Sequence, residues 1–372
     1  MQTENYDVIV VGDGIVACSL AYWLTHHELK VCMVSKVKDG AATGAAGGML
    51  TPAGEAEGGE SALLDFAVAN CHYYPEFIER LERELGCSAD YRRAGTLMVA
   101  LNVDDRAQLM HLGTFQKRFG LETRWLNVAE LRELEPCVSP RAVGALFAPD
   151  DHSVNPRKLH SVLMVAALQR GIATVECDSD LSLIVSGGVA KGIEWCEQGE
   201  QRRISATHTV VCSGVWANEI LNDVAPLPLR PVRGQFVVLN DCASIQHVIR
   251  SPNVYLVPRG GGELFIGATS EERGFDCANT AGGLIDLLGH AHRILPGIDE
   301  AKVREISYGF RPALRDNLPA IGQTSMAGLY VATGHFRHGI MLAPLTGKLL
   351  AREIAGGGRD SLLSAFSPNR FS

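Results

Sequence analysis

The feature that most constrains this chain is a glycine turn close to its start. Residues 6–17 read YDVIVVGDGIVA, and Asp7 to Val11 form a short apolar run rich in β-branched residues, which predicts a buried strand. Gly12 and Gly14 follow, and apolar residues then recur at helical spacing. Gly12 permits a tight turn, and Gly14 lets the backbone approach a pyrophosphate at the N-terminus of the helix. The order of strand, glycine turn and helix therefore predicts a dinucleotide site, with an ordinary βα turn as the alternative.

The position that usually holds the adenosine ribose departs from the expected acid. Val31 to Val34 predict the second parallel strand, and a carboxylate is expected at its end, about 20 residues after the glycines. Ser35 occupies that place and Lys36 follows it. A serine hydroxyl can bond a ribose without supplying charge. A Ser-Lys pair would also suit a ribose 2′-phosphate, so NADP is an alternative cofactor.

Small residues dominate the segment from Gly40 to Pro52, which reads GAATGAAGGMLTP. Backbone built from such residues can come very close to a flat or charged ligand, and Thr43 is placed to reach a phosphate. The apolar pair Met49–Leu50 indicates that the front half is buried against a ligand. A flexible surface loop is the alternative, and such a loop is predicted for Gly54–Gly59.

Helical and strand-like patterns alternate along the rest of the chain. The spacing predicts helices at 62–85, 104–119, 128–135, 156–170, 282–295 and 339–355. Apolar β-rich runs predict strands at 95–101, 173–176, 181–185, 192–196, 207–214, 235–239, 254–258, 264–268 and 329–333. The runs at 254–258 and 264–268 are joined by RGGGE, which indicates a hairpin and hence a second domain with an antiparallel sheet.

Composition excludes several classes of function. Hydrophobic residues make up 46% of the 372 residues, and the net charge is −8 without a block of like charges, which argues against nucleic acid as a partner. No apolar run has the length of a membrane span, and the start lacks the pattern of a signal peptide. The ten cysteines are scattered without a C-x-x-C pair, which favours a reducing cytoplasm. The pair His335 and His338 lacks a nearby carboxylate ligand, so no metal is expected.

Three polar side chains are candidates for substrate binding, namely Tyr255, Arg311 and Arg337. Both arginines lie in glycine-rich or proline-rich stretches, and a planar guanidinium suits a bidentate grip on a carboxylate. The alternative is a structural arginine that bonds loop carbonyls. The ligand role is favoured for Arg311, and both roles stay open for Arg337. Three further arginines are expected to be structural or exposed: Arg233, Arg259 and Arg315.

Six motifs together resemble the D-amino-acid oxidase superfamily of flavoproteins, most closely its glycine oxidase branch in the thiamine pathway. They occur in the expected order over nearly the whole chain: GDGIVA, AAGGMLTP, CSGVWA, VYLVPR with LFIGAT, GFRP, and TGHFRHGIMLAP. Ser35 stands in place of the family's ribose glutamate. Asn253 and His338 also differ from the glycine oxidase pattern.

The resemblance implies an α/β, two-domain fold in which non-covalent FAD lies extended across a Rossmann-like domain. A mostly antiparallel domain would cover the flavin. The expected FAD-binding domain comprises residues 1–85, 150–222 and 310–372, and the interleaved substrate domain comprises 86–149 and 223–309. The sarcosine oxidase branch attaches its flavin through a cysteine near the final motif, but no cysteine follows Cys277 here.

The resemblance also assigns the site. Arg311 and Tyr255 would bind the substrate carboxylate, Arg337 would lie beside it, and the helix after the final motif would face the flavin pyrimidine. The residues expected to bind the cofactor are Gly12, Gly14, Ile15, Val16, Ser35, Lys36, Ala42, Thr43, Gly47, Gly48, Met49, Leu181, Ser213, Gly214, His335, Phe336, Arg337, His338, Gly339, Ile340 and Met341.

The implied activity is oxidative deamination of glycine or another small amino acid. Dioxygen would reoxidise the flavin, and the products would be the 2-oxo acid, ammonia or an amine, and hydrogen peroxide. The alternatives are a dehydrogenase for D-amino acids or N-methyl amino acids with another electron acceptor, an NADP-dependent reductase, and a flavin-binding protein without turnover. A small amino acid and dioxygen are thus the expected partners, and a homo-oligomer is an open possibility.

Overall fold

The computed structural model describes residues 5–54, 61–242 and 245–371. Most of the loop predicted at Gly54–Gly59 lies outside these residues. The described residues form two eight-stranded sheets and a two-stranded ribbon, with helices packed against both large sheets. Within the described ranges, no helix combines the length and the apolar character that crossing a membrane requires.

The strands are β1 Asn5–Val11, β2 Val31–Ser35, β3 Met49–Leu50, β4 Thr96–Ala100, β5 Arg124–Leu126, β6 Gly144–Ala148, β7 His152–Ser153, β8 Ala173–Glu176, β9 Ser182–Ser186, β10 Val189–Glu197, β11 Glu200–Val211, β12 Arg230–Asn240, β13 Val248–Arg250, β14 Tyr255–Pro258, β15 Leu264–Gly267, β16 Lys302–Ala313, β17 Ala320–Gln323 and β18 Leu329–Thr333. The helices are α1 Ile15–Leu24, α2 Ala42–Ala45, α3 Ser61–Leu85, α4 Val103–Lys117, α5 Val128–Leu134, α6 Pro156–Gln169, α7 Asn218–Leu221, α8 Ala281–Ile294 and α9 Gly339–Arg352. Each helix predicted from the sequence is present to within a few residues at its ends.

The first sheet is built around β1, the strand that precedes the glycine turn. Its order is β17-β18-β11-β1-β2-β8, and β10 and β9 extend it beside β11. β1 pairs in parallel with both β11 and β2. Val8 and Val10 face the helical core, whereas Ile9 and Val11 face the core on the other side. Parallel strands bring their carboxyl ends to one edge of the sheet, where ligands of open α/β folds bind.

The helix that follows the glycine turn is enclosed on every side. All ten residues of α1 are buried, and the helix packs against α9 and α6. A Cβ on Gly347 of α9 would collide with Ser19 of α1, so glycine allows the two helices to approach closely. The first turn of α1 is therefore held firmly at the edge of the sheet.

A proline inside α9 marks a contact between distant parts of the chain. The sequence predicts that Pro344 is tolerated only near the start of its helix, and it is the sixth residue of α9. Proline has no N–H, so the carbonyl of Ile340 loses its helical partner. The hydroxyl of Tyr74 on α3 donates a hydrogen bond of 2.7 Å to that carbonyl. The helix continues because a side chain of another helix replaces the missing bond.

The second sheet has the order β16-β12-β15-β14-β13-β4-β6-β5. Its strands pair antiparallel, apart from β13 and β4, which pair in parallel. β14 and β15 form the predicted hairpin, and α8 packs against β12 and β15. Consecutive groups of strands belong to one sheet and then to the other along the chain, which is the order that two interleaved domains require. The exact domain boundaries stay a prediction.

Seven strands were not predicted from the sequence, namely β3, β5, β6, β7, β13, β16 and β17. β16 is the informative case because Lys302–Ala313 reads KVREISYGFRPA, which has no clean alternation of apolar and polar residues. It pairs with β12 along its length, and in the described sheet it is an edge strand. An edge strand can expose polar residues and accept Pro312 without losing ladder bonds on both sides. The GFRP motif thus lies on a strand.

Candidate active site

Two connected cavities lie at the edge of the first sheet where β1, β11 and β18 end. The first has an empty volume of about 1030 Å³ and the second of about 780 Å³. Both are lined by Ile15, Ala42, Thr43, Phe336 and Gly339, so they form one continuous cleft. We call the first the nucleotide cavity and the second the substrate cavity, after the ligands expected from the sequence.

The glycine turn forms the floor of the nucleotide cavity. Gly12 has a φ of +119°, and a Cβ on it would lie 2.7 Å from the carbonyl oxygen of Cys212. Only glycine fits this position. α1 starts three residues later. Its N-cap residue is Gly14, which has no side chain to cap the helix, and the N–H of Ile15 donates to the hydroxyl of Thr43 at 3.0 Å. The first turn of a buried helix thus points its N–H groups at the cavity, which suits a phosphate.

One buried polar atom in this cavity also fits a bound ligand. The hydroxyl of Ser213 is buried and has no hydrogen-bond partner among the described residues. It follows β11 and lines the nucleotide cavity. Buried hydroxyls normally find a partner, so this one is placed to bond a group that occupies the cavity.

The structure brings together all but one of the predicted site residues. The following line the nucleotide cavity, the substrate cavity or both: Gly12, Gly14, Ile15, Val16, Lys36, Ala42, Thr43, Gly47, Gly48, Met49, Leu181, Ser213, Gly214, Tyr255, Arg311, His335, Phe336, Arg337, His338, Gly339, Ile340 and Met341. Ser35 does not line either cavity, and its carbonyl accepts a hydrogen bond from the N–H of Cys177 at 2.9 Å. The individual binding roles stay predictions.

Several residues that line the two cavities were not predicted from the sequence. Lys38, Trp216 and Glu219 line the nucleotide cavity, whereas Thr51 and Gly234 line the substrate cavity. Trp216 lies in the CSGVWA motif, which was singled out, so its position in that motif was the available signal. Lys38 and Glu219 are ordinary charged residues in sequence, and only the fold places them together.

Arg311 on β16 and Tyr255 on β14 line the substrate cavity from the second sheet. One guanidinium nitrogen of Arg311 donates to the carbonyl of Thr269 at 3.0 Å, and no carboxylate within the described residues pairs with it. The ring of Tyr255 is parallel to that of Phe265, with 6.1 Å between centroids. An arginine without a carboxylate partner in a cavity is suited to bind an anionic ligand group.

The carbonyl that accepts the Arg311 hydrogen bond belongs to a residue of a partly buried hydrogen-bond network. The hydroxyl of Thr269 donates to Glu271 at 2.6 Å, and Glu271 also accepts from the fully buried Arg233 at 2.5 Å. Burial opposes ionisation of Glu271, but hydrogen bonds from Thr269, Arg233 and Gln235 hold its pKa at about 2. The carboxylate therefore stays charged, and Arg233 is structural, as expected from the sequence.

Gly234 sets the space available to the Arg311 guanidinium. A Cβ on Gly234 would lie 2.5 Å from both terminal nitrogens of Arg311. We expect Gly234→Ala to displace the guanidinium and to raise the KM for the substrate at least about tenfold, because one charge-assisted hydrogen bond contributes roughly 1.5–3 kcal/mol. Thermal unfolding should change little, since a long side chain can move. Gly282→Ala is the control because nothing lies near that glycine. Equal kinetics of both variants would contradict the expectation.

Arg259 supports the loop that lines the substrate cavity. Its side chain is 5% exposed, lies over the ring of Phe265 at 4.6 Å, and donates to the carbonyl of Ala46 at 2.9 Å. Burial lowers its pKa to about 10, so it stays protonated near neutral pH. Arg259 is structural, as expected, and Arg315 is exposed, also as expected.

Comparison with known proteins identifies the family. The family model for FAD dependent oxidoreductase, abbreviated DAO, matches residues 7–353. The chain belongs to the DAO family of FAD-dependent oxidoreductases. The predicted resemblance and the prediction of FAD as cofactor are therefore confirmed.

Glycine oxidases are among the relatives of this DAO-family chain. Glycine oxidase of Bacillus licheniformis is 31% identical, over 99% of this chain and 98% of the relative. The bifunctional protein ThiO/ThiG of Trichormus variabilis is 32% identical over 98% of this chain, which spans 55% of the length of that relative. The crystal structure of glycine oxidase from Geobacillus kaustophilus has a TM-score of 0.88 at 29% identity, with 99% of both chains covered. These structures confirm the predicted two-domain α/β fold class.

The N-terminus of α9 completes the DAO-family cleft. The loop from His335 to His338 leads into α9, and Gly339 and Ile340 of its first turn line the substrate cavity. His335 is buried and lies 3.2 Å from the hydroxyl of Thr346. Burial, with a smaller effect of His338, lowers the pKa of His335 to about 3. The imidazole is therefore neutral near pH 7, and the helix N-terminus supplies the positive potential at this end of the cleft.

The lowered pKa of His335 predicts how stability depends on pH. Its pKa falls from an ordinary 6.5 to about 3 on folding, so between these values the unfolded state binds more protons. The free energy of unfolding should consequently decrease as the pH falls below about 6.5, by up to about 1.4 kcal/mol per pH unit from this group. Denaturant titrations between pH 7 and 4.5, at fixed saturating FAD, should show a shallower decrease for His335→Gln. Identical slopes for both proteins would contradict this account.

Proposed function

We propose that this chain oxidises glycine or another small primary or secondary amino acid, with FAD as the cofactor. The observation that carries the proposal is the Arg311 guanidinium, which lines the same cavity as Tyr255, and this cavity is continuous with the nucleotide cavity. The sequence similarity of this chain to a glycine oxidase over nearly its full length supports the same activity.

The side chains would divide the work between binding and orientation. Arg311 binds the substrate carboxylate through its guanidinium, and the hydroxyl of Tyr255 bonds the same group. Arg337, which also lines the substrate cavity, adds positive charge beside it. With the carboxylate fixed, the Cα–H bond is held toward the part of the cleft shared by both cavities. FAD, when bound in the cleft, would supply the hydride acceptor.

The chemistry balances without a side-chain base. A neutral amine that loses a hydride from Cα and a proton from nitrogen becomes an imino acid, and water hydrolyses it to the 2-oxo acid and ammonia. Dioxygen takes up the two electrons and two protons and becomes hydrogen peroxide. The chain's residues bind, orient and exclude water, and the redox step belongs to the cofactor.

One experiment tests the proposal and its alternatives. The purified protein should show flavin absorption, which excludes the nicotinamide-only reductase. Under anaerobic conditions, glycine, sarcosine or D-alanine should bleach that absorption. Admission of air should then restore it, with peroxide formed in proportion. Bleaching without rapid recovery in air would favour the dehydrogenase with another acceptor. No bleaching by any amino acid would overturn the proposal and favour flavin binding without turnover.

Three further expectations stay predictions: that the FAD is bound non-covalently, that the chain functions in thiamine biosynthesis, and that it resides in the cytoplasm. Acid precipitation tests the first directly, because a non-covalent flavin should remain in the supernatant.

A further inference from the structure

The adenosine end of the nucleotide cavity has no acid at the end of β2. Ser35 occupies that position, its side chain does not line the cavity, and its carbonyl is bonded to Cys177. In dinucleotide-binding folds a carboxylate at this position accepts hydrogen bonds from ribose hydroxyls. Another residue of the cavity is therefore needed for the same task.

Two carboxylates lie among the described residues that line this cavity, those of Asp13 and Glu219. Asp13 belongs to the glycine turn itself and is exposed. Glu219 lies on α7, and both of its oxygens are 2.7 Å from the ammonium of Lys38, which also lines the cavity. Glu219 is thus a carboxylate fixed in place by a cation.

The two residues of this ion pair reach the nucleotide cavity from different strands of the first sheet. Lys38 follows β2 and Glu219 follows β11, and these two strands flank β1. The pair therefore connects the segment after β2 to α7, which follows the strand on the other side of β1. The side chain of Glu219 is 45% exposed, so its oxygens retain lone pairs for a ligand besides Lys38.

We propose that Glu219, oriented by Lys38, replaces the missing acid of β2 and accepts hydrogen bonds from the adenosine ribose of FAD. The ribose acid has moved from the second strand to the helix after β11, and the chain retains a carboxylate in the crevice. The inference rests on FAD as the cofactor but not on the identity of the amino acid.

Charge gives the test an unambiguous sign. The FAD pyrophosphate is anionic, so a carboxylate that acted only through its charge would repel the cofactor, and its removal would tighten binding. A carboxylate that accepts ribose hydroxyls would instead weaken binding when removed. The two roles of Glu219 therefore predict opposite changes in the dissociation constant.

The primary experiment measures the dissociation constant of FAD by flavin fluorescence during dilution of the holoenzyme. Glu219→Gln should weaken FAD binding by at least about tenfold, as expected for loss of a charge-assisted hydrogen bond. Asp180→Asn is the matched control, since Asp180 pairs with the neighbouring Lys36 at 2.7 Å but does not line the cavity. Its affinity should stay the same or increase. Unchanged or tighter binding by Glu219→Gln would overturn the proposal.

Competition by nucleotides separates a ribose contact from general damage to the site. In the parent protein, ADP should displace FAD more effectively than 2′,3′-dideoxy-ADP. In Glu219→Gln, ADP should lose affinity and the dideoxy analogue should not. Equal weakening of both analogues would overturn the proposal. A second variant, Glu219→Gln with Ser35→Glu, should recover FAD affinity by restoring the acid on β2. Amino-acid bleaching is a separate measurement, so a failed proposed function leaves these affinities interpretable.

Discussion

Arg311→Ala is expected to raise the KM for the amino acid at least about 100-fold while FAD stays bound. The guanidinium has no carboxylate partner within the described residues and lines the substrate cavity, so we expect it to bind the substrate carboxylate. Two charge-assisted hydrogen bonds of roughly 1.5–3 kcal/mol each account for a loss of this size. The rest of the nucleotide cavity is built from other elements, which is why the flavin should remain.

Steady-state kinetics and the flavin absorbance of the purified variant measure both parts of this prediction. Arg315→Ala is the control, because Arg315 is exposed only four residues further along the chain. Arg311→Lys should fall between the parent protein and Arg311→Ala, since an ammonium keeps the charge but loses the bidentate geometry. A KM that stays unchanged in Arg311→Ala would show that the substrate carboxylate binds elsewhere.

Gly12→Ala is expected to abolish stable FAD binding. A methyl group there would lie 2.7 Å from the carbonyl oxygen of Cys212, and a φ of +119° is strongly unfavourable for alanine. Neither the backbone of β11 nor the start of α1 can yield easily, because both are buried. We expect the variant to be purified without flavin or to unfold at a clearly lower temperature.

The flavin absorbance per protein and the thermal unfolding midpoint, measured at equal protein concentration, check this expectation. Gly289→Ala is the matched control, because Gly289 lies inside α8 and nothing lies within 4 Å of an added Cβ. Alanine favours a helix over glycine, so the control should be neutral or slightly stabilising. Full flavin content in Gly12→Ala would contradict the role assigned to the turn.

The nucleotide half of the cleft could be predicted well from sequence because its signals are local. The strand, the two glycines and the helix after them follow one another directly in the sequence, and the structure places Gly12 and Gly14 in the cavity wall. The final motif could be predicted for the same reason, because its loop and the first turn of α9 are contiguous in the sequence. Backbone geometry of this kind depends on residues that are adjacent in the sequence.

The remainder of the site could not be predicted because it depends on pairing over long distances. β16 reads as an irregular stretch, and only its pairing with β12 makes it a strand. Ser35 was assigned to the cofactor from its place at the end of β2, but whether a side chain reaches a cavity depends on the surrounding packing. The Lys38–Glu219 ion pair joins residues 181 positions apart, which no local pattern reveals.

Residues far apart in the sequence form the walls of the cleft, among them Gly12, Gly339 and Met341. During translation the glycine turn is therefore synthesised more than three hundred residues before α9. A nascent chain halted before α9 would lack this part of the cleft, and we expect it to retain flavin poorly.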